Sequence, residues 1–190
     1  MKRRDFIQTL AAGVGGLTGF GARGQEAAPA AKPLRVALIG CGDSGARQLL
    51  PECCKERVVA LVDPDRSRID VALGQVRKTD PSADTGAIKT FDDYRKLFDA
   101  RGKELDAVVI ATTNHHHAPA ALLAIRNGIH AYVEKPLTHT VYEARQLRDE
   151  PKTHGVVTQM GQHGHSNEGC RRLCEYIWAG AIGQVREVHC

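Results

Sequence analysis

The amino-acid sequence predicts an α/β fold with a doubly wound parallel sheet, and three observations carry that prediction. Short apolar runs alternate with helix-like stretches from Leu34 onward, the runs lack the polar alternation of half-exposed strands, and a glycine cluster stands at the first strand-to-helix junction. At 190 residues the chain has room for about one ordinary domain.

Taken in order, Leu34 to Ile39 reads as a first strand, and after the glycines Ala46 to Leu50 reads as the start of a helix. Val58 to Val62 is a second apolar strand, ending at Asp63. Pro64 to Val76 then opens a helix with proline at its first position. Asp92 to Phe98 is also helical. Ala107 to Ala111 is another strand of the doubly covered kind, followed by a helix over Pro119 to Asn127 that Gly128 closes. Ala131 to Glu134 and Val156 to Met160 are strands, with a helix over Val141 to Asp149 between them. Asn167 to Ala179 reads as a last helix, stopped by Gly180.

The composition narrows the ligand class. The formal net charge is +4, and half of it lies in the first 31 residues, where Lys2, Arg3, Arg4 and Arg23 face only Asp5 and Glu26. The nearly balanced remainder shows no basic stripe with interleaved aromatics, which excludes an electrostatic footprint for nucleic acid and favours a small neutral or anionic ligand. The six cysteines, Cys41, Cys53, Cys54, Cys170, Cys174 and Cys190, lack paired zinc spacing and are too sparse for a disulfide scaffold, so most read as small buried residues. The run His115 to His117 is not read as a metal site, because three consecutive side chains cannot converge on one ion from regular structure.

Residues 1–31 have the order of an export signal: a basic start, a Gly- and Ala-rich run from Thr9 to Ala22, and small residues around Ala27 to Ala31. The run is too short and glycine-rich to span a bilayer, so no stable membrane anchor is expected. Arg3-Arg4-Asp5-Phe6 resembles the twin-arginine motif, which implies a periplasmic or otherwise exported protein that folds and loads its cofactor before export.

The segment Gly40-Cys41-Gly42-Asp43-Ser44-Gly45 is a G-x-G-x-x-G placed directly between strand and helix. Gly40 permits the tight turn, Gly42 lets the backbone approach a pyrophosphate, and Gly45 lets the helix pack closely on the strand. The N–H groups at the helix start, around Asp43 and Ser44, then face the phosphates. Asp63 follows 18 residues after Gly45, where a carboxylate accepts hydrogen bonds from the adenosine ribose and repels a 2′-phosphate. This pattern is the dinucleotide fingerprint of a Rossmann domain and favours NAD over NADP, with Arg66 nearby able to soften the discrimination. Helix N-capping before Pro64 is the other role open to Asp63.

Two further segments stand at the carboxyl ends of strands: Ala111-Thr112-Thr113-Asn114-His115-His116-His117 and Glu134-Lys135-Pro136. Together with the glycine motif they resemble the Gfo/Idh/MocA oxidoreductases, from about Leu34 onward. The resemblance implies that Lys135 meets substrate and nicotinamide as a catalytic residue, and that Thr112, Asn114 and Glu134 belong to the cofactor site. It also makes His117 a candidate catalytic, cofactor or substrate contact, although an ordinary residue at a helix start is the alternative. Thr113 stands where the family carries proline, and His165 where many relatives carry a nearby arginine.

The resemblance further implies three segments. These are the export signal over 1–31, a nucleotide domain over 32–165, and over 166–190 a crossing helix and first strand of a truncated second domain. Family members are about twice as long, and their catalytic histidine comes from that second domain. This chain is therefore expected to bind dinucleotide without efficient catalysis, and its last strand to present an unpaired edge. The full-length protein is expected to oxidise a sugar, polyol or sugar derivative, with any homo-oligomer formed through the second domain. Two alternatives stand beside that reading: a glycosidase or lyase that oxidises its sugar transiently, and a non-catalytic nucleotide-binding module.

Overall fold

A computed structural model describes residues 32–189, apart from the side chains of His163 and Ser166. The export signal expected over 1–31 and Cys190 lie outside the described residues. The six strands are β1 (Arg35–Ile39), β2 (Arg57–Val62), β3 (Lys89–Phe91), β4 (Ala107–Ile110), β5 (His130–Val133) and β6 (Thr158–Met160). They form one parallel sheet in the order β3-β2-β1-β4-β5-β6. The chain crosses from one side of β1 to the other between β3 and β4, so loops part at the carboxyl ends of β1 and β4, where open α/β sheets bind ligands.

Alternate residues of β1 feed two cores, because successive side chains point to opposite faces. Val36 and Leu38 join Leu61, Ala46, Leu50, Ile69, Ala72 and Val76 on one face. That layer is covered by α1, a wide π-helical turn over Ser44–Leu49 continued by Leu50–Cys53, and by α2 (Arg66–Thr79). Ala37 and Ile39 join Leu97, Val108, Ile110, Ala121, Ile125 and Leu147 on the other. Its cover is α3 (Tyr94–Arg101), α4 (Asn114–Arg126) and α5 (Val141–His154). Burial on both faces explains the uninterrupted apolar strands.

Three expected helix boundaries move, and one strand is new. The α2 helix is capped by Asp65, whose Oδ1 accepts the Ser67 N–H at 2.9 Å, so Pro64 precedes the helix and Asp63 is not its cap. The α4 helix begins at Asn114 and carries Pro119 in its interior, on an exposed position, rather than starting there. The α5 helix runs on to His154 through Pro151 and stops at Gly155, whose φ of 65° is the left-handed cap glycine tolerates. The short strand β3 was not expected, since Lys-Thr-Phe has no apolar run to announce it.

Beyond β6 come the short α6 (His163–Ser166) and α7 (Glu168–Trp178), the latter capped by Asn167 and followed by Gly180 as the sequence predicts. No strand forms over residues 184–189, against expectation. A strand needs a ladder partner, and among the described elements none lies beside this segment.

Candidate functional site

The site grows from the turn after β1. Gly40 holds φ at +95°, and a Cβ there would stand 2.5 Å from the Ala111 carbonyl oxygen, so the chain reverses only with glycine. A Cβ on Gly45 would overlap the Gly40 carbonyl oxygen. Gly42 is different: a Cβ would meet only the Arg68 guanidinium, at 3.5 Å. Nothing among the described residues requires glycine there, which leaves the face above Gly42 open to a ligand backbone or phosphate. Asp43 and Ser44 start α1 at the mouth of the turn, and the Asp43 carboxylate lies 3.1 Å from Arg47 Nε on the exposed side.

Asp63, at the end of β2, is buried to 4% exposure. Its Oδ2 accepts the Cys41 N–H at 2.8 Å and its Oδ1 accepts the Asp65 N–H at 2.9 Å. The carboxylate thereby ties the glycine turn to the β2 exit, and each oxygen keeps lone-pair capacity for another donor. Cys41 lies beneath this turn. Burial first, and the Asp63 charge second, push its thiol up to about 12, so it is a packing residue and not a nucleophile. Burial likewise pushes Cys53 up to about 12, while Cys54, Cys170 and Cys174 are half-buried.

A cleft of about 510 Å³ opens over these residues. Gly40, Gly42, Asp43, Ser44, Asp63 and Arg68 form one wall, and Tyr94, Thr112, Thr113 and His116 another. Its size, its open glycine and its carboxylate fit the adenosine and phosphates of a dinucleotide. The cation beside the turn is Arg68, not Arg66. The latter turns away, donating to Thr90 Oγ1 at 3.0 Å and pairing with Asp70 at 3.3 Å. Sequence reading missed Arg68 because it started the helix too early; capping by Asp65 is the signal that places Arg68 in the first turn. Tyr94 and His116, also missed, meet edge to face at 6.0 Å between ring centroids.

A second cleft of about 250 Å³ adjoins the first, sharing Ser44, Ala111 and Thr112 with it, and is lined further by Gln48, Asn114, His117, Glu134 and Lys135. Lys135 is exposed at its rim. Glu134 is 5% exposed, its Oε2 accepts the Lys135 N–H at 3.2 Å, and it hydrogen-bonds with the Tyr132 hydroxyl, whose pKa is raised by burial and then by the Glu134 charge. Gly161 has to be small here, because a Cβ would stand 2.6 Å from Glu134 Oε1 and 2.7 Å from the Tyr132 hydroxyl. His117, expected as a catalytic, cofactor or substrate contact or else as an ordinary residue at a helix start, lies among the lining residues of this cleft. Only 1% exposed, it has Nδ1 2.7 Å from the Pro136 carbonyl and Nε2 3.0 Å from the Thr112 carbonyl. Both nitrogens are occupied by main-chain acceptors. Among the described residues no three His, Cys, Asp or Glu side chains gather into a metal-holding group, and no helix is long and apolar enough to cross a membrane.

Residues 34–162 match the family described as an oxidoreductase family with an NAD-binding Rossmann fold. The chain is 28% identical over 155 residues to the dTDP-3,4-didehydro-2,6-dideoxy-alpha-D-glucose 3-reductase of Streptomyces violaceoruber, covering 82% of this chain and 43% of that one. It is 35% identical over 126 residues to a glycosyl hydrolase family 109 protein of Shewanella sp. strain W3-18-1, covering 64% of this chain and 27% of the relative. The structure of myo-inositol 2-dehydrogenase from Lactobacillus plantarum superposes with a TM-score of 0.65 at 25% identity, over 81% of this chain and 43% of the other. The chain thus spans less than half the length of each of these relatives. With the strand order, the glycine turn and the paired clefts all in place, the match over residues 34–162 shows that the chain belongs to the Gfo/Idh/MocA oxidoreductases and carries their NAD-binding Rossmann domain.

Proposed function

We propose that the full-length protein is an exported, NAD-dependent oxidoreductase acting on a sugar, polyol or sugar derivative, with this chain supplying the cofactor site and one catalytic side chain. The observation that supports the reading is the junction of the two clefts at Thr112, with the glycine turn lining the first and Lys135 lining the second. NAD, when bound, accepts or donates the hydride. The chain's own residues do the rest. Gly40, Gly42, Gly45 and the N–H groups around Asp43 and Ser44 seat the pyrophosphate. Asp63 accepts from the adenosine ribose and disfavours a 2′-phosphate, so NAD is preferred over NADP. Asn114 and Thr112 border the nicotinamide end, and the Lys135 ammonium steadies negative charge developing on the substrate oxygen. Glu134 accepts from the Lys135 N–H and so holds the lysine main chain at the cleft.

The test is cofactor titration of the mature chain followed by turnover of the full-length protein with a panel of sugars and polyols. NAD binding at least roughly tenfold tighter than NADP, the size of one lost charged contact, is expected. NADH formation should collapse in Lys135→Ala with little change in NAD affinity. A chain that ignores both NAD and NADH overturns the reading. The likeness to a glycosyl hydrolase family 109 protein supports a second reading, in which the sugar is oxidised and restored within one turnover. Aglycone release without net NADH would favour it. Export rests on Arg3 and Arg4, and replacing both with lysine should retain the protein in the cytoplasm.

A further inference from the structure

The β4–β5 ladder closes with the Glu134 N–H donating to Ile110 O at 2.9 Å. Past that bond the two chains part, one into the loop of Thr112 and Thr113, the other into Lys135 and Pro136. His117, in the first turns of α4, reaches across the gap: its Nδ1 faces the Pro136 carbonyl at 2.7 Å and its Nε2 the Thr112 carbonyl at 3.0 Å. Each acceptor is a carbonyl, so each bond needs a proton on the nitrogen that faces it; the doubly protonated ring makes both, the neutral ring one at a time. Burying an imidazole is costly unless its nitrogens are bonded, and an apolar side chain would fill the space more cheaply. Thr112 lines both clefts, and Lys135 is the residue before Pro136. The Lys135 main chain is therefore held on its amide side by Glu134 and on its carboxyl side by His117 through the next carbonyl.

We propose that His117 is a positioning residue that couples the two clefts: it bridges the Thr112 loop and the Lys135 loop, so that filling the adenosine cleft orders Lys135. The inference rests on the reading that the larger cleft takes the adenosine and phosphates of the dinucleotide. His117 does not touch the reacting atoms; it acts through the two loops it joins.

The probe is ADP, which carries the adenosine and both phosphates but neither the second ribose nor the nicotinamide that could touch the lysine loop directly. Amide hydrogen exchange is followed on the purified chain with and without saturating ADP. In the wild-type chain exchange slows at residues 112–116 and also at 135, 137 and 138, the second group by roughly fivefold or more, the low end of ordinary coupling between sites. His117→Gln keeps an N–H donor near the Nε2 position and His117→Asn one near the Nδ1 position, so each retains half of the bridge. In both variants ADP still protects 112–116, and the protection at 135, 137 and 138 is lost. Protection of the lysine loop that survives in both variants, or is missing from the wild type, overturns the coupling. If ADP protects nothing in the wild type, the cofactor reading has failed instead. Should either variant not fold, ring nitrogen NMR of wild-type His117 decides: both nitrogen resonances move on ADP addition, and an Nδ1 resonance that stays in place refutes the bridge.

Discussion

Two glycines three residues apart differ in why they are glycine, and the difference can be measured. Gly45 is required by the protein, since any Cβ would overlap the Gly40 carbonyl oxygen and force the helix off the strand. Gly42 is spared by the protein and needed by the ligand. Gly45→Ala should lower unfolding free energy by about 1–3 kcal/mol, as overpacking does, and weaken NAD binding as a consequence. Gly42→Ala should leave the urea midpoint nearly unchanged and still reduce NAD affinity roughly tenfold or more, because the added methyl occupies the approach to the pyrophosphate. Equal destabilisation by both would mean that Gly42 has a packing role the geometry does not show. Asp63 combines the two kinds of requirement. Asp63→Asn keeps one acceptor oxygen but turns an NH₂ group toward either the Cys41 or the Asp65 amide, both of them donors. A loss of about 1–3 kcal/mol is expected from denaturant unfolding, together with a rise in NADP affinity relative to NAD as the repelling charge is removed.

Among the helices, α5 has the most complete start: Thr140 Oγ1 accepts the Glu143 N–H at 3.2 Å, and Glu143 Oε2 accepts the Thr140 N–H at 3.0 Å and the His139 N–H at 2.8 Å. Thr140→Ala breaks this reciprocal box and should cost about 1 kcal/mol, read as a shifted urea midpoint at constant slope. Because α5 packs on α4, whose first turns carry Asn114 and His117, the variant should also loosen the second cleft more than the first. Element boundaries show what a sequence can and cannot announce. The start of α7 at Asn167 and its stop before Gly180 were legible from a cap residue at one end and a glycine at the other. The start of α2 was not, because Asp63 and Asp65 are both good caps flanking one proline, and only the burial of Asp63 against Cys41 decides between them. Strand β3 was silent for a different reason: three residues at the edge of the sheet bury too little side chain to leave an apolar run. At the site, Lys135 was expected only from the family resemblance, whereas the turn made by Gly40, Gly45 and Asp63 was legible through motif spacing. The bridging geometry of His117 was not, because it depends on where two loops from different strands come to lie.

The described domain is built on one parallel sheet whose ligand edge is fixed by topology and whose surface carries exposed ion pairs. Arg126 on α4 donates twice to Glu150 on α5, at 2.6 and 3.1 Å, closing the helical layer over the sheet. Its guanidinium holds the Glu150 carboxyl below the usual range. Arg95 does the same for Asp93, Lys96 for Asp92 and Arg148 for Asp149, while the Ser67 and Ser82 hydrogen bonds lower Asp65 and Asp80. A carboxyl depressed by folding adds stability above its unfolded pKa, and that stability is lost as pH falls through the ordinary carboxylate range toward the depressed value. The thermal midpoint is therefore expected to hold between about pH 7 and about pH 5 as far as these groups are concerned, and to drop from about pH 4 downward. Because the pairs are exposed, 1 M salt should screen them, lowering the neutral midpoint and flattening the acid drop. Glu150→Gln removes the charged bridge between α4 and α5, together with the Glu150 contact to His154 at 3.5 Å, and should shrink the drop without abolishing it. Thermal scans from pH 7 to pH 3 at low and high salt measure all three effects. A midpoint that stays constant to pH 3 would show that these contacts contribute nothing to folding, and that the two apolar layers hold the sheet by themselves.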